Sequence, residues 1–381
     1  MTAPGTTAFL DSSSGEPMLP DARQAWLSAQ ESGWGDPARL HRPGRLAAGA
    51  LDRAREVVAA AVGARPDEVT FTASGGPPSF AAVAGLARGR RRAGARIVTT
   101  AVDHSSVLKA AADAGEHVAV EVDDQGRLDV AAWQAAVRRS GTALAALQVG
   151  NHEVGTMQPF AAAIASAHAA GVPVALDATA ALGRVDLAGV SGWSVLTGWA
   201  GAFGGPASVG LLVVRNRARW RPPYPVDDYQ GGRWPGVPDV PAIHAAGVAL
   251  NWWLRSGRGV AERQRRLVDR LRSEIAETVP DVYIAGDPVR RLPQLLTFSV
   301  PSVDAEALTR ELDEEGFAVA SGSASRASFQ HPSHVLTAMG APIEGNVRIG
   351  LTRTTTEDEI EAFLAALPPI VARLRDETGV A

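Results

Sequence analysis

The sequence predicts an α/β fold, with a large domain on a mainly parallel sheet flanked by helices and a smaller α+β domain after it. Three observations predict it. Helical and strand patterns alternate from about residue 45 to 250. Two runs in that stretch, Ala143 to Val149 and Val172 to Asp177, are continuously apolar, as strands covered on both faces are. Beyond them the chain carries a shorter set of strands and helices with patterns of their own. Alternation of this kind implies crossover units, and it places functional loops at the carboxyl ends of the parallel strands.

The elements follow in order. Leu46 to Val62 is an alanine-rich helix, Glu68 to Thr72 a short strand and Pro78 to Arg88 the next helix. Ile97 to Thr100 reads as a strand, His104 to Ala114 as a helix and Val118 to Val122 as a strand. The helix Phe160 to Ala170 lies between the two continuous apolar runs. A proline- and glycine-rich stretch from Arg221 to Pro241 precedes a long helix from about Ile243 to Thr278. Its first half is apolar; its second half is rich in arginine and glutamate and reads as a solvated face. The small domain comprises the strand Leu295 to Val300, the helix Ala305 to Glu315, the strand Phe317 to Ala320 and the helix Thr356 to Arg373. Residues 15–255 then form the large domain, and residues 1–14 with 256–381 the small one. Arg88, Arg90, Arg91, Arg92 and Arg96 make a basic knot at a helix end, expected to be solvated and to favour the negative helix pole.

Composition narrows the function. Of 381 residues 46% are hydrophobic and 20% charged, which describes a globular chain rather than a disordered one. A net charge of −4 recruits neither nucleic acid nor an anionic membrane. No apolar run is long enough to span a bilayer and no secretory signal opens the chain, so the expected location is the cytoplasm. There is no cysteine, which excludes thiolate metal sites, disulfides and cysteine nucleophiles, and no metal site is expected. Lys109 is the only lysine, so an imine to an aldehyde cofactor would have to use it or the chain terminus.

Several motifs recur in a fixed order. They are Phe9–Leu10–Asp11, Gly35–Asp36–Pro37 through His41, and Asp67 through Thr72. Asp103–His104–Ser105–Ser106–Val107–Leu108 and Asn151–His152–Glu153–Val154–Gly155 with Gln158–Pro159 come next. Ser321–Gly322–Ser323–Ala324, Pro332–Ser333–His334–Val335–Leu336 and Ala338–Met339–Gly340 close the series. With this order and spacing, the chain resembles the cysteine desulfurases, of the class V aminotransferase architecture, along almost its whole length. The resemblance implies fold type I, the architecture of pyridoxal phosphate (PLP) enzymes.

It also implies where a site should lie. His104 matches the imidazole that stacks on the cofactor ring, and Asn151 the residue that contacts the ring hydroxyl. Asp177 matches the partner of the pyridine nitrogen, and Arg348, in Asn346–Val347–Arg348–Ile349–Gly350, the arginine that grips a substrate carboxylate. Each also admits a folding role: Asp177 held by loop amides, Arg348 paired with a carboxylate. The decisive parts are absent. Phe203 and Gly205–Pro206 anchor the alignment and put Ala202 at the lysine position, with Gly201 for the preceding histidine and Trp199 for the serine before it. Lys109 lies on the helix after His104 and is expected to face solvent. The phosphate cup becomes Ser74–Gly75–Gly76 running into Pro77–Pro78, and proline has no amide hydrogen to give. The partner subunit's threonine becomes Val237, the glutamine three residues after Asp177 becomes Ala180, and the sulfur-accepting cysteine becomes Ser325. Ser325, with His331 and His334 near it in sequence, shows no readable oxyanion or acid arrangement.

These losses imply a pocket that has stopped using PLP, with no cofactor and no catalytic residue of the desulfurase kind. The first reading is a pseudoenzyme: a non-catalytic subunit or regulator in sulfur transfer or a biosynthetic pathway. The second is a PLP-independent enzyme using the remodelled pocket on a small carboxylate-bearing substrate, and the third an enzyme holding PLP non-covalently. The expected assembly is a homodimer, or a heterodimer with an intact desulfurase paralogue. Its contacts are expected along the apolar first half of the helix near Ile243 and the Gly231 to Pro241 loop.

Overall fold

The computed structural model describes residues 8–74, 76–322 and 332–378. A seven-stranded sheet forms its centre, in the order Val69–Ala73, Val209–Val214, Val195–Trp199, Val174–Asp177, Thr142–Gln148, Arg96–Thr100 and Glu116–Val120. The last five of these run parallel, while Val209–Val214 is antiparallel to both its neighbours. The strand Thr142–Gln148 is buried at every residue, which is why its sequence lacks polar alternation. A separate antiparallel sheet of Asn346–Gly350, Leu295–Ser299 and Tyr283–Ile284 carries the smaller α+β part. The N-terminal strand Ala8–Phe9 pairs with Phe317–Ala318 and so returns the start of the chain to the vicinity of this sheet.

The helix Val240–Thr278 links the two cores. Its start is capped by Asp239, whose carboxylate accepts from the Ala242 amide at 3.1 Å. Ala242, Ile243, Ala246, Leu250 and Trp253 pack into the core against the large sheet, and Leu267, Leu271 and Ile275 into that of the small sheet. One face of the helix's apolar half is taken up within the chain, where Ala242, Ala245, Ala249 and Leu250 are fully covered, while Leu254 on the same half stays 48% exposed.

Some expectations need adjustment. The charged half of the helix is not simply solvated, because Arg265 donates to Val289 O and Arg291 O, and Arg272 to Ala285 O and Gly286 O. These guanidinium groups fasten the 285–291 loop by satisfying its carbonyls. The basic knot divides in the same way. Arg88 donates to Pro222 O, Arg90 to Gly171 O, and Arg96 to Ser140 O and Glu116, whereas Arg91 and Arg92 are exposed. The strand expected at 118–122 lies at Glu116–Val120. The helices Pro20–Ser32 and Val130–Val137 and the strands Val195–Trp199 and Val209–Val214 were not anticipated.

Candidate functional site

The carboxyl ends of the parallel strands converge on a cavity of about 420 Å³, the size and place expected of a small-molecule site. Gln148, Asp177 and Trp199 reach it from the last residues of three neighbouring strands, and His104 from the turn after a fourth. Ser12, Ser13 and Ser14 close it from the N-terminal segment, and Gln294 and Leu295 from the small sheet.

His104 caps the helix Ser105–Ala114: its Nδ1 accepts from the Ser106 amide at 3.2 Å and lies 2.7 Å from Ser106 Oγ. An amide can only donate, so Nδ1 carries no proton and the neutral ring is protonated at Nε2. Burial, then the positive potential of His152, pushes the His104 pKa down to about 4, against the opposing pull of Asp177. The ring is therefore neutral at ordinary pH. His152 meets it at 4.7 Å between centroids and 66°, and His334 lies 6.3 Å beyond His152 at 29°. His334 Nε2 lies 2.9 Å from the carbonyl of Asp103, which can only accept, so that nitrogen is the protonated one.

Carboxylates back this histidine row. Asp103 is fully buried and accepts from Thr100 N, Thr100 Oγ1 and Gln148 N at 2.8 to 2.9 Å. Burial pushes its pKa up to about 7, with the charge of Asp177 adding to the rise and those hydrogen bonds opposing it. Glu153 behaves oppositely. Burial would raise it, but the hydrogen bond and charge of His152, the charge of Arg348 and the bond from Ser333 outweigh that and hold it at about 2.

The structure brings His104, Asp177 and Ala202 to the cavity wall. Asp177 accepts from the Thr179 amide at 2.9 Å, the loop contact that a folding role would use. Asn151 does not join them. Its Oδ1 accepts from Glu153 N and Val154 N, both at 2.8 Å, and its Nδ2 donates to Val102 O, so its whole carboxamide serves the backbone behind the wall. Arg348 stands one layer back as well: Nε donates to Ser13 Oγ at 2.8 Å, and it is Ser13 that lines the cavity. Its carboxylate neighbour is Glu153, through charge rather than a direct ion pair. Ser325 and His331 lie outside the described residues. Lys109 is exposed on its helix, as expected.

Ala202 sits in the turn Ala200–Phe203, which Gly204 ends in the left-handed region at φ 76°. Its carbonyl accepts from Arg184 Nη1 at 2.6 Å, and Arg184 Nη2 pairs with buried Glu16 at 2.9 Å. Glu16 also accepts from Arg353, so one carboxylate ties the N-terminal segment to both parts of the site. Trp199 forms the adjoining wall, its indole Nε1 donating to Ala207 O at 2.7 Å. The helix Gly76–Arg90 presents its N-terminal end to the cavity through Gly76 and Ser79, and between them stand Pro77 and Pro78, neither of which has an N–H. The sequence leaves Gln294, Glu16 and Arg184 unmarked: the contacts Gln294–Ala180 and Glu16–Arg184 each span more than 100 residues, and no local pattern marks them.

A family model described as aminotransferase class V matches residues 9–363. A cysteine desulfurase of Cereibacter sphaeroides is 35% identical over 379 residues, covering 96% of each chain. An IscS-like cysteine desulfurase of Mycobacterium tuberculosis is 34% identical, covering 97% of each. Among solved structures, a NifS-like protein superposes with a TM-score of 0.89 at 24% identity over 96% of this chain and 100% of the other, a likeness of fold.

Proposed function

The chain belongs to the cysteine desulfurase family of class V aminotransferases but carries no cysteine to take the sulfur, and from that premise we propose that it has left PLP chemistry altogether and acts as a non-catalytic subunit or regulator in sulfur transfer or a biosynthetic pathway. The observation that carries this reading is the wall at Trp199, Gly201 and Ala202. Ala202 offers no amine, and the single lysine is exposed on another helix. The place of the family's serine holds an indole instead of a hydroxyl. The helix end that would meet the phosphate has lost two amide donors to Pro77 and Pro78. Against this donor set PLP does not fit.

The test is direct. Protein purified after expression with excess pyridoxine should show no borohydride-reducible adduct, and should release neither sulfide nor alanine from cysteine. A stoichiometric adduct on any residue of the cavity would refute the reading.

One observation favours a second reading, a PLP-independent enzyme. His104, neutral and protonated at Nε2, shares a cavity with the carboxylate of Asp177. A neutral imidazole beside a carboxylate can hold and move a proton on a bound ligand.

A further inference from the structure

The acceptors of the cavity outlast the cofactor that the fold once held. Gln294 is 4% exposed, and its Nε2 donates to Ala180 O at 3.1 Å. That bond fixes the carboxamide orientation, because the opposite flip would set two acceptors against each other. Its Oε1 is then buried with no hydrogen-bond partner among the described residues, although the side chain lines the cavity. Ala180 is the position where the family carries a glutamine, so a carboxamide from the small sheet now reaches the turn that begins at Asp177.

Asp177 adds charge to the same wall. Among the described residues no lysine, arginine or histidine lies within ion-pair distance of it, and its carboxylate accepts from the Thr179 amide. Among the described residues of the wall the one guanidinium, Arg184, is committed: its terminal nitrogens go to Glu16 and Ala202 O, and it stacks on Trp253 at 4.6 Å, leaving only Nε without a partner. His104 brings no positive charge at neutral pH. A buried acceptor without a donor is costly until a donor reaches it, and the partly exposed carboxylate on the same cavity wall favours a cationic one.

We propose that this cavity binds a small protonated amine, its N⁺–H groups donated to the Asp177 carboxylate and to Gln294 Oε1. The ligand class is an organic ammonium of modest size, matched to a cavity of about 420 Å³. The assignment rests on the reading that Asp177 no longer serves a pyridinium, and it names the ligand that either a regulator or a PLP-independent enzyme would take there.

Calorimetric titration with benzylamine, benzyl alcohol and benzoate at neutral pH tests it. Benzylamine should bind, benzyl alcohol more weakly, and benzoate not at all. Asp177→Asn keeps the shape and the Thr179 contact and should weaken benzylamine about tenfold or more, the scale of a lost charged hydrogen bond. Gln294→Leu should weaken it too, with both variants checked for an unchanged thermal unfolding transition. If Gln294→Leu does not fold, the Asp177→Asn comparison alone decides. Benzoate binding as tightly as benzylamine, or benzylamine binding that ignores Asp177→Asn, overturns the proposal. Borohydride reduction of the same preparation reports on the PLP reading separately, so the two ideas fail independently.

Discussion

Trp199 occupies the space that a side chain at position 201 would need: a Cβ there would lie 2.5 Å from Trp199 Cε2 and 2.7 Å from Cη2. Separations under 3 Å between such atoms force one of them to move. The family's serine and histidine at these two places have therefore been exchanged as a unit. A tryptophan could enter only beside a glycine.

The exchange makes a stability prediction. Gly201→Ala should destabilise the protein by about 1–3 kcal/mol, the usual cost of overpacking a filled site. The same change made in a Trp199→Ser background should cost much less, since the ring is gone. Urea unfolding of the two singles and the double gives the coupling directly. Additive effects would show that the indole swings aside freely.

Ala202→Lys alone should not restore desulfuration. The amine would stand beside the Trp199 wall, the Pro77–Pro78 helix end would still lack donors, and the chain would still hold no cysteine. Each missing charged hydrogen bond to a phosphate costs about 1.5–3 kcal/mol, so losing several weakens retention by orders of magnitude. Sulfide and alanine assays on the single variant check this. Activity from cysteine would mean that the helix end binds phosphate without those amides.

Much of this was legible in the sequence, and the exceptions have physical causes. The strand Thr142–Gln148 announced itself because both its faces are covered. The strand Val195–Trp199 did not, because Gly198 interrupts its pattern. The helix Val130–Val137 is nearly all apolar and shows no polar face to set a helical period. His104 and Asp177 could be placed by motif since each lies at the end of a readable element, and Ala202 by the Phe203 and Gly205–Pro206 that follow it. Asn151 shared the motif signal, yet its carboxamide turned to Glu153, Val154 and Val102, a choice that local sequence does not encode. Gln294 was invisible because its partner Ala180 lies on a distant segment.

Asp103 and His104 should give opposite pH dependences of stability. His104 falls from 6.5 to about 4 on folding, so the unfolded chain binds the extra proton between these values and stability drops as pH is lowered through them. Asp103 rises from 3.8 to about 7, so the folded chain binds the extra proton and stability drops as pH is raised through that window. In the wild type the two slopes oppose each other, and the lowered His117 and His244 add to the rise with pH. Between about pH 5.5 and 6.5, where Glu153 is almost fully ionised in both states, Asp103→Asn should make stability rise more steeply with pH than in the wild type. His104→Asn should make it rise less steeply or fall. Each change of slope should approach about 1.4 kcal/mol per pH unit. Denaturant midpoints measured across the window decide it, and parallel slopes in the two variants would contradict the assignment.

The isolated protein should form a two-fold dimer. One face of the apolar half of the helix Val240–Thr278 is taken up by the chain's own core, and Leu254 on that half remains 48% exposed. Exposed large apolar side chains also occur along an earlier segment: Leu27 at 48%, Trp34 at 67%, Leu40 at 88% and Leu46 at 47%. Val237, in the loop before the long helix, is 58% exposed. Large side chains left this open along one stretch of chain mark an interaction surface more often than a solvated one. A second copy of the same chain is the simplest occupant, because a symmetric contact uses one patch twice. Val237 also bears on partner choice. In a heterodimer of family geometry this loop would approach the partner's cofactor, and valine has no hydroxyl to give its phosphate, which favours the homodimer. Light scattering at micromolar concentration should return twice the chain mass. Trp34→Asp and Leu40→Asp should each shift the population to monomer without lowering the monomer's helix content, because both side chains face outward. A monomeric wild type would reject the homodimer, and native mass measurement after co-expression with a desulfurase paralogue would then determine whether an unlike partner covers the patch.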